Sequence, residues 1–146
     1  MNGHPGKVSA TLTLFCFGAT PDAITGNLGL QPTATDYIKP SPIYFTPKGN
    51  LPTREGATWS YETASKISSS EIEKHLRHLL SLFLPLKEKL KALQAKVCVR
   101  IYWESILAGS SLAGLQIPAD CVEGIAELGA TLDIQVVKIS KVKGAD

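Results

Sequence analysis

Few side chains in this sequence combine the residue type and the spacing that chemistry needs. His75 and His78 stand three residues apart on a helical pattern, a separation at which two imidazoles can reach one Zn²⁺, yet a zinc site needs three or four clustered ligands and these two stand alone. They read as part of a solvated helix face, with the alternative that His75 turns inward beside Leu76 and Leu79. Cys16 and Cys98 fall in alternating apolar segments. A thiol becomes a nucleophile only beside a base in a polarised pocket, so both read as packed side chains. Gly109-Ser110-Ser111-Leu112-Ala113 lacks the second glycine of a nucleophile elbow and joins strand to strand, so it reads as a turn. Neither Gly-X4-Gly-Lys-Ser/Thr nor Gly-X-Gly-X-X-Gly occurs, which removes both backbone cradles for phosphate. No catalytic residue, no metal ligand and no cofactor is expected.

One constellation withstands this pruning. Alternation places Phe15 and Phe17 on the side of one strand and Arg100, Tyr102 and Glu104 on the side of another, with Gln135 and Val137 on a third. If helices cover the opposite side, these residues share an open sheet face. Large side chains with few rotatable bonds, together with a forked cation, are the composition of binding hot spots. The plainer reading is a solvated face on which Arg100 and Glu104 are strand neighbours. Between Gln31 and Thr58 lie five prolines, Pro32, Pro40, Pro42, Pro47 and Pro52, so no continuous helix can form there. Loops of that length are functional, disordered or hide short strands, and Ile43-Tyr44-Phe45 is a candidate edge strand. Folded over the open face, this segment would wall a cleft with Tyr44, Phe45, Trp59 and Tyr61, which is where a ligand is first sought.

The elements that must position these residues follow from periodicity. Val8, Ala10, Leu12, Leu14 and Cys16 alternate with Ser9, Thr11, Thr13, Phe15 and Phe17, a half-buried strand. Thr20-Pro21-Asp22 opens a short helix as N-cap, first-turn proline and first-turn acid, and Gly29 closes it after Leu28. Trp59 to Thr63 is a strand. Ser70-X-X-Glu73 has the form of a capping box, and Ile72, Leu76, Leu79, Leu80, Phe83, Leu86, Leu90 and Leu93 make an apolar stripe with a kink or break expected at Pro85. Val97, Val99, Ile101 and Trp103 alternate with Cys98, Arg100, Tyr102 and Glu104. Leu112 to Ile117 reads as a strand, Pro118 to Gly129 brackets a helix, and Leu132, Ile134 and Val136 alternate in a last strand. This order is α+β: a mostly antiparallel sheet with helices packed on one face, ferredoxin-like or a related α/β sandwich.

Composition narrows the class. The chain has 146 residues, 44% hydrophobic and 19% charged, with fifteen Lys and Arg against thirteen Asp and Glu. That is one globular domain spanning 1–146, with 1–7 and 140–146 expected as mobile tails holding His4 and the lysines Lys141 and Lys143. A net charge of +2 gives no field for nucleic acid or membrane. No basic cluster precedes an apolar run at the N-terminus, and no stretch of about eighteen apolar residues occurs. Cys16, Cys98 and Cys121 are odd in number and far apart, unlike a secreted disulfide framework. A cytoplasmic protein is expected.

Thr20-Pro21-Asp22-Ala23-Ile24-Thr25 with Leu28-Gly29-Leu30-Gln31-Pro32-Thr33, Lys48-Gly49 before Trp59-Ser60, His75-Leu76 with Leu79-Leu80, and Leu128-Gly129-Ala130 with Leu132-Asp133 together resemble a bacterial family known as domain of unknown function 4279. The resemblance runs from Leu12 to Val137. It consists of caps, turns and core positions, so it implies a fold and carries no activity. Two functions therefore stand. The first is a non-catalytic binding or protein-interaction domain, self-associating through the open sheet face as a homodimer or other homo-oligomer, or taking a small protein partner. The second is a small-molecule binder or enzyme using Arg100 and Glu104 in the cleft. A buried Arg–carboxylate pair with shifted titration favours the second, and a flat, apolar, water-free contact favours the first. A third, purely structural reading makes the chain a module whose partner domain lies on another chain.

Overall fold

The structure is a computed structural model that describes residues 7–39, 44–46, 49–51, 55–106 and 115–139. Along the chain the elements are β1 (Val8–Phe17), α1 (Pro21–Leu28), β2 (Ala34–Ile38), β3 (Tyr44–Thr46), β4 (Gly49–Leu51), β5 (Gly56–Glu62), a 3-10 turn (Thr63–Ser65), α2 (Ile72–Phe83), a second 3-10 turn (Leu84–Leu86), α3 (Lys87–Ala92), β6 (Lys96–Ile106), α4 (Ala119–Glu127) and β7 (Thr131–Ile139). Five strands form one sheet in the order β2-β5-β1-β6-β7, and β3 pairs with β4 in a separate ladder. Every neighbouring pair in the main sheet is antiparallel except β6 and β7, which run parallel. The α+β expectation of a mostly antiparallel sheet holds.

Alternation decides which side of the sheet is closed. Val8, Ala10, Leu12, Leu14 and Cys16 of β1, Ala57, Trp59 and Tyr61 of β5, and Val97, Val99 and Ile101 of β6 are all buried. They pack with Ile24 and Leu28 of α1, Leu76, Leu79 and Phe83 of α2, and Cys121 and Ile125 of α4 into one core. Burying a Leu or Phe side chain is worth about 1.5 to 3 kcal/mol. A face with this density of them fixes strand register, because a slip of one residue would turn the whole set outward.

Local signals place the helices. Thr20 Oγ1 accepts from the Ala23 N–H at 3.2 Å, Pro21 takes the first helical position, and Gly29, at φ 72°, returns its N–H to the Thr25 carbonyl. Pro85 has no N–H to continue α2, so the chain tightens into the 3-10 turn at Leu84–Leu86 and resumes as α3. Gly124 lies where α4 meets α2: a Cβ there would come 2.8 Å from Leu80 Cδ1.

Several expectations are corrected. The capping box on Ser70 does not form; Glu71 occupies the N-cap without a side-chain bond. Ser69 holds this segment instead, its hydroxyl accepting from the Glu71 N–H at 3.0 Å and its carbonyl from His75 Nε2 at 2.9 Å. The proline-bearing segment does hide short strands, and β3 takes in Tyr44 and Phe45 of the candidate, but β2 within it was not foreseen: Ala34, Thr35, Asp36 and Ile38 are exposed, so an edge strand wet on both sides shows no alternation. Leu115 to Ile117 form no strand. Leu115 and Ile117 pack against the core without a ladder, and 112–114 lie outside the described residues, as do the Gly109-Ser110-Ser111 turn, Ile43 and both terminal segments 1–6 and 140–146. Lys7, assigned to a tail, exchanges backbone with β6: its carbonyl accepts from the Glu104 N–H at 2.8 Å. No helix among the described residues is long and apolar enough to cross a membrane.

Candidate functional site

Register assembles the uncovered face. Across β5, β1, β6 and β7 the rows run Ser60, Thr13, Cys98 and Thr131, then Glu62, Thr11, Arg100 and Asp133, and Ser9, Tyr102 and Gln135 follow on the last three. All of these but Thr131 and Asp133, which lie at its margin on β7, floor an open groove of about 1190 Å³, and Ala64 with Ile67 to Ser70 forms its wall. The wall is why Ser9 is buried although it points away from the helices.

A buried network anchors that wall. Thr63 Oγ1 accepts from the Ala10 backbone N–H at 2.9 Å and lies 2.6 Å from His75 Nδ1. His75 Nε2 donates to the Ser69 carbonyl, so this ring nitrogen carries a proton, and Nδ1 shares its hydrogen bond with the Thr63 hydroxyl. Thr63, from the turn after β5, thereby ties β1 to α2, and His75 ties α2 back to the segment that lines the groove.

Two of the charged side chains on the floor, Arg100 and Glu104, have partners of their own. Arg100 Nε donates to Asp133 Oδ2 at 2.9 Å, with the two side chains 55% and 46% exposed, so the pair is wet and worth at most about 1 kcal/mol. The Tyr102 hydroxyl donates to Glu104 Oε2 at 2.7 Å, and this bond to a carboxylate raises the phenol above its ordinary pKa. Glu104 Oε1 also lies 3.4 Å from the Lys7 N–H. Thr13 and Ser60 hydroxyls meet at 3.2 Å. Arg100 and Glu104 thus lie in one groove with separate partners, Asp133 and Tyr102. The buried Arg–carboxylate pair that would have marked a cleft enzyme is not formed between them.

The remaining sequence candidates separate. Phe15 and Phe17 share the open face and meet edge to face at 4.8 Å. Their rows, however, hold Lys96 and Gly56, and Ile38 lies beyond Gly56. Four strand positions, roughly 13 Å, divide Phe15 from the row of Arg100. Trp59 and Tyr61 cannot wall a cleft on this face, because both point into the core. Trp59 donates Nε1–H to Thr25 Oγ1 at 3.0 Å and packs edge-on to Phe83, while Tyr61 meets Phe83 and bonds His78 Nε2 at 2.9 Å. The signal was available: Ala57, Trp59 and Tyr61 are apolar on one parity of β5 and Thr58, Ser60 and Glu62 polar on the other, which marks the aromatics as core. Tyr44 begins β3 in the separate ladder; its side chain and that of Phe45 lie outside the described residues.

His75 is buried, which is the inward alternative beside Leu76 and Leu79 and not the solvated face, and the two histidines serve different partners, Thr63 with Ser69 and Tyr61. Among the described residues no cluster of three His, Cys, Asp or Glu could hold a metal ion. Cys16 and Cys121 are buried and burial raises both thiols, whereas Cys98 lies on the groove floor. The hydroxyls of Ser9, Thr11, Thr13 and Ser60, and the carboxylate of Asp133, were not singled out from sequence, because cross-strand register, which gathers them, has no local signature. A family model described as Domain of unknown function (DUF4279) matches residues 6–137. No curated protein and no solved structure matches the chain.

Proposed function

We infer that this chain, which belongs to the family of the Domain of unknown function (DUF4279), is a non-catalytic binding domain whose working surface is the open face of its sheet. The observation that supports this is the groove lining: hydroxyls, an amide, one wet ion pair and one Tyr–carboxylate bond spread across four strands beneath the Ser68–Ser70 wall. Such groups exchange their bonds with water for bonds to a polar partner at little cost, which is the chemistry of a rim-like, polar protein contact.

Cys98 supplies the test. It lies on the groove floor while the other two thiols are buried with raised pKa, so mild alkylation reads groove access. A fraction from the native host that fills the groove slows alkylation of Cys98 in the wild type and does so less in Arg100→Glu. If every fraction leaves the rate unchanged, or slows both proteins equally, the groove is not the binding surface.

A second reading, self-association through the same face, draws support from its apolar end, where Phe17 and Ile38 are each 48% exposed. Phe17→Glu combined with Tyr102→Glu then dissociates the oligomer while the fold is kept; unchanged association counts against it.

A further inference from the structure

The two edge strands of the sheet, β2 and β7, are built differently. β2 has five residues and carries Asp36, whose carboxylate accepts from the Tyr37 N–H at 2.9 Å; Pro32 and Lys39 flank it. Short length and charge are how a sheet keeps its edge from pairing with another chain. β7 has nine residues, and among the described residues its one ladder partner is β6. Its middle, Ile134-Gln135-Val136-Val137, holds neither charge nor proline. Ile134 and Val136 lie on the helix-covered side, in register with Ile101 and Trp103, and yet are 45% and 49% exposed. Apolar surface therefore runs along the edge.

We propose that β7 pairs antiparallel with β7 of a second copy, about a two-fold axis that runs perpendicular to the sheet midway between the two Gln135 residues, joining two sheets into one. The occupant follows from self-complementarity. Such an axis makes the facing strands antiparallel and leaves the helices of both copies on the same side, and it sets each residue opposite a position of equal parity. With the two Gln135 residues opposite each other across the axis, Ile134 of each copy lies opposite Val136 of the other, so the two half-exposed side chains close over one another. The two Gln135 amides meet on the open side. Asp133 and Lys138, the charged positions of the strand, fall opposite Val137 and Leu132, so no like charges oppose. Asp133 also brings no unpaired charge to the seam, since Arg100 already holds it. A strand of unrelated sequence would supply backbone bonds but not this pairing. The inference is independent of what occupies the groove.

Light scattering on a sizing column is expected to show a dimer that dissociates on dilution. Ile134→Lys makes it a monomer with an unchanged circular dichroism spectrum, because the site is half exposed. In a Cys98→Ser background, Gln135→Cys oxidises to a disulfide-linked dimer, since axis-related positions on facing strands are within disulfide reach, whereas Ile38→Cys on β2 does not. A wild type that is monomeric at every concentration overturns the proposal. So does a dimer that survives Ile134→Lys, or a failure of Gln135→Cys to cross-link. A dimer broken by Phe17→Glu with Tyr102→Glu but not by Ile134→Lys assigns association to the open face and overturns it equally.

Discussion

The two sides of β1 are made from one strand, and they solve opposite problems. Toward the helices, Ala10, Leu12, Leu14 and Cys16 are fully buried, and the polar atoms that enter this side, such as those of His75 and Thr63, are bonded to one another. Away from the helices, Thr11 and Thr13 are partly open and Ser9 is shut in by the 64–70 wall, and the bonds made there lie between side chains that water can also reach. The covered side specifies the fold. The open side is free of that duty, so its residues can be chosen for a partner.

The largest expected effect comes from breaking the covered side. Phe83 touches both Trp59 and Tyr61 edge-on, and Phe83→Ala removes a fully buried ring at a cost of about 3 to 5 kcal/mol, read as a fall in the urea midpoint. Thr13→Ala on the open side, which breaks the bond to Ser60, should move the midpoint far less. Equal losses would mean that the open side is as structural as the covered one.

Thr63 sits where the two sides are joined, and Thr63→Val sharpens the comparison there. The substitution keeps the shape but leaves the Ala10 N–H and His75 Nδ1 without their partner, and a buried group left unpaired costs about 1 to 3 kcal/mol. Faster hydrogen exchange at the Ile67 amide, which donates to the Thr63 carbonyl, and faster alkylation of Cys98 would show that the wall loosens with it. A loss of stability with both rates unchanged would make Thr63 a core residue and nothing more.

What the sequence disclosed divides along the same line. The long alternations of Val8–Phe17 and Val97–Glu104, the Thr20 cap, Gly29 and the Pro85 break are local signals, and the structure keeps each of them. Parity in β5 was equally local, but Trp59 and Tyr61 were assigned by their aromatic type to a cleft instead of by their apolar neighbour Ala57 to the core. β2 could not be seen because an edge strand wet on both sides has no hydrophobic period. The groove could not be seen because it is made by register: Thr11 meets Arg100, and Arg100 meets Asp133, over separations that no periodicity records. The inward alternative for His75 rested on Leu76 and Leu79 alone, since the partners that make its burial tolerable, Thr63 and the Ser69 carbonyl, are contributed by the segment before the helix.

Tyr102 yields the smallest effect and the most direct view of the open side. Its hydroxyl donates to Glu104, and that bond, then burial, then the carboxylate charge hold the phenol above its ordinary pKa. Because the folded value lies above the unfolded one, the bond's contribution to stability is complete below the ordinary tyrosine range and is lost as pH rises through the raised folded value. Glu104→Gln should therefore bring one phenol back down in an ultraviolet titration, and it should leave Tyr37, raised by its own bond to Glu55, where it was. Near neutral pH, Tyr102→Phe should scarcely change stability, since the site is open to water and Glu104 keeps its contact with the Lys7 N–H. A partner bound in the groove would displace water from this pair and push the phenol further up, an additional shift absent from Tyr37. If the Tyr102 titration is indifferent to Glu104→Gln, the bond is not kept in solution, and the floor of the groove is looser than the covered side demands of its own polar groups.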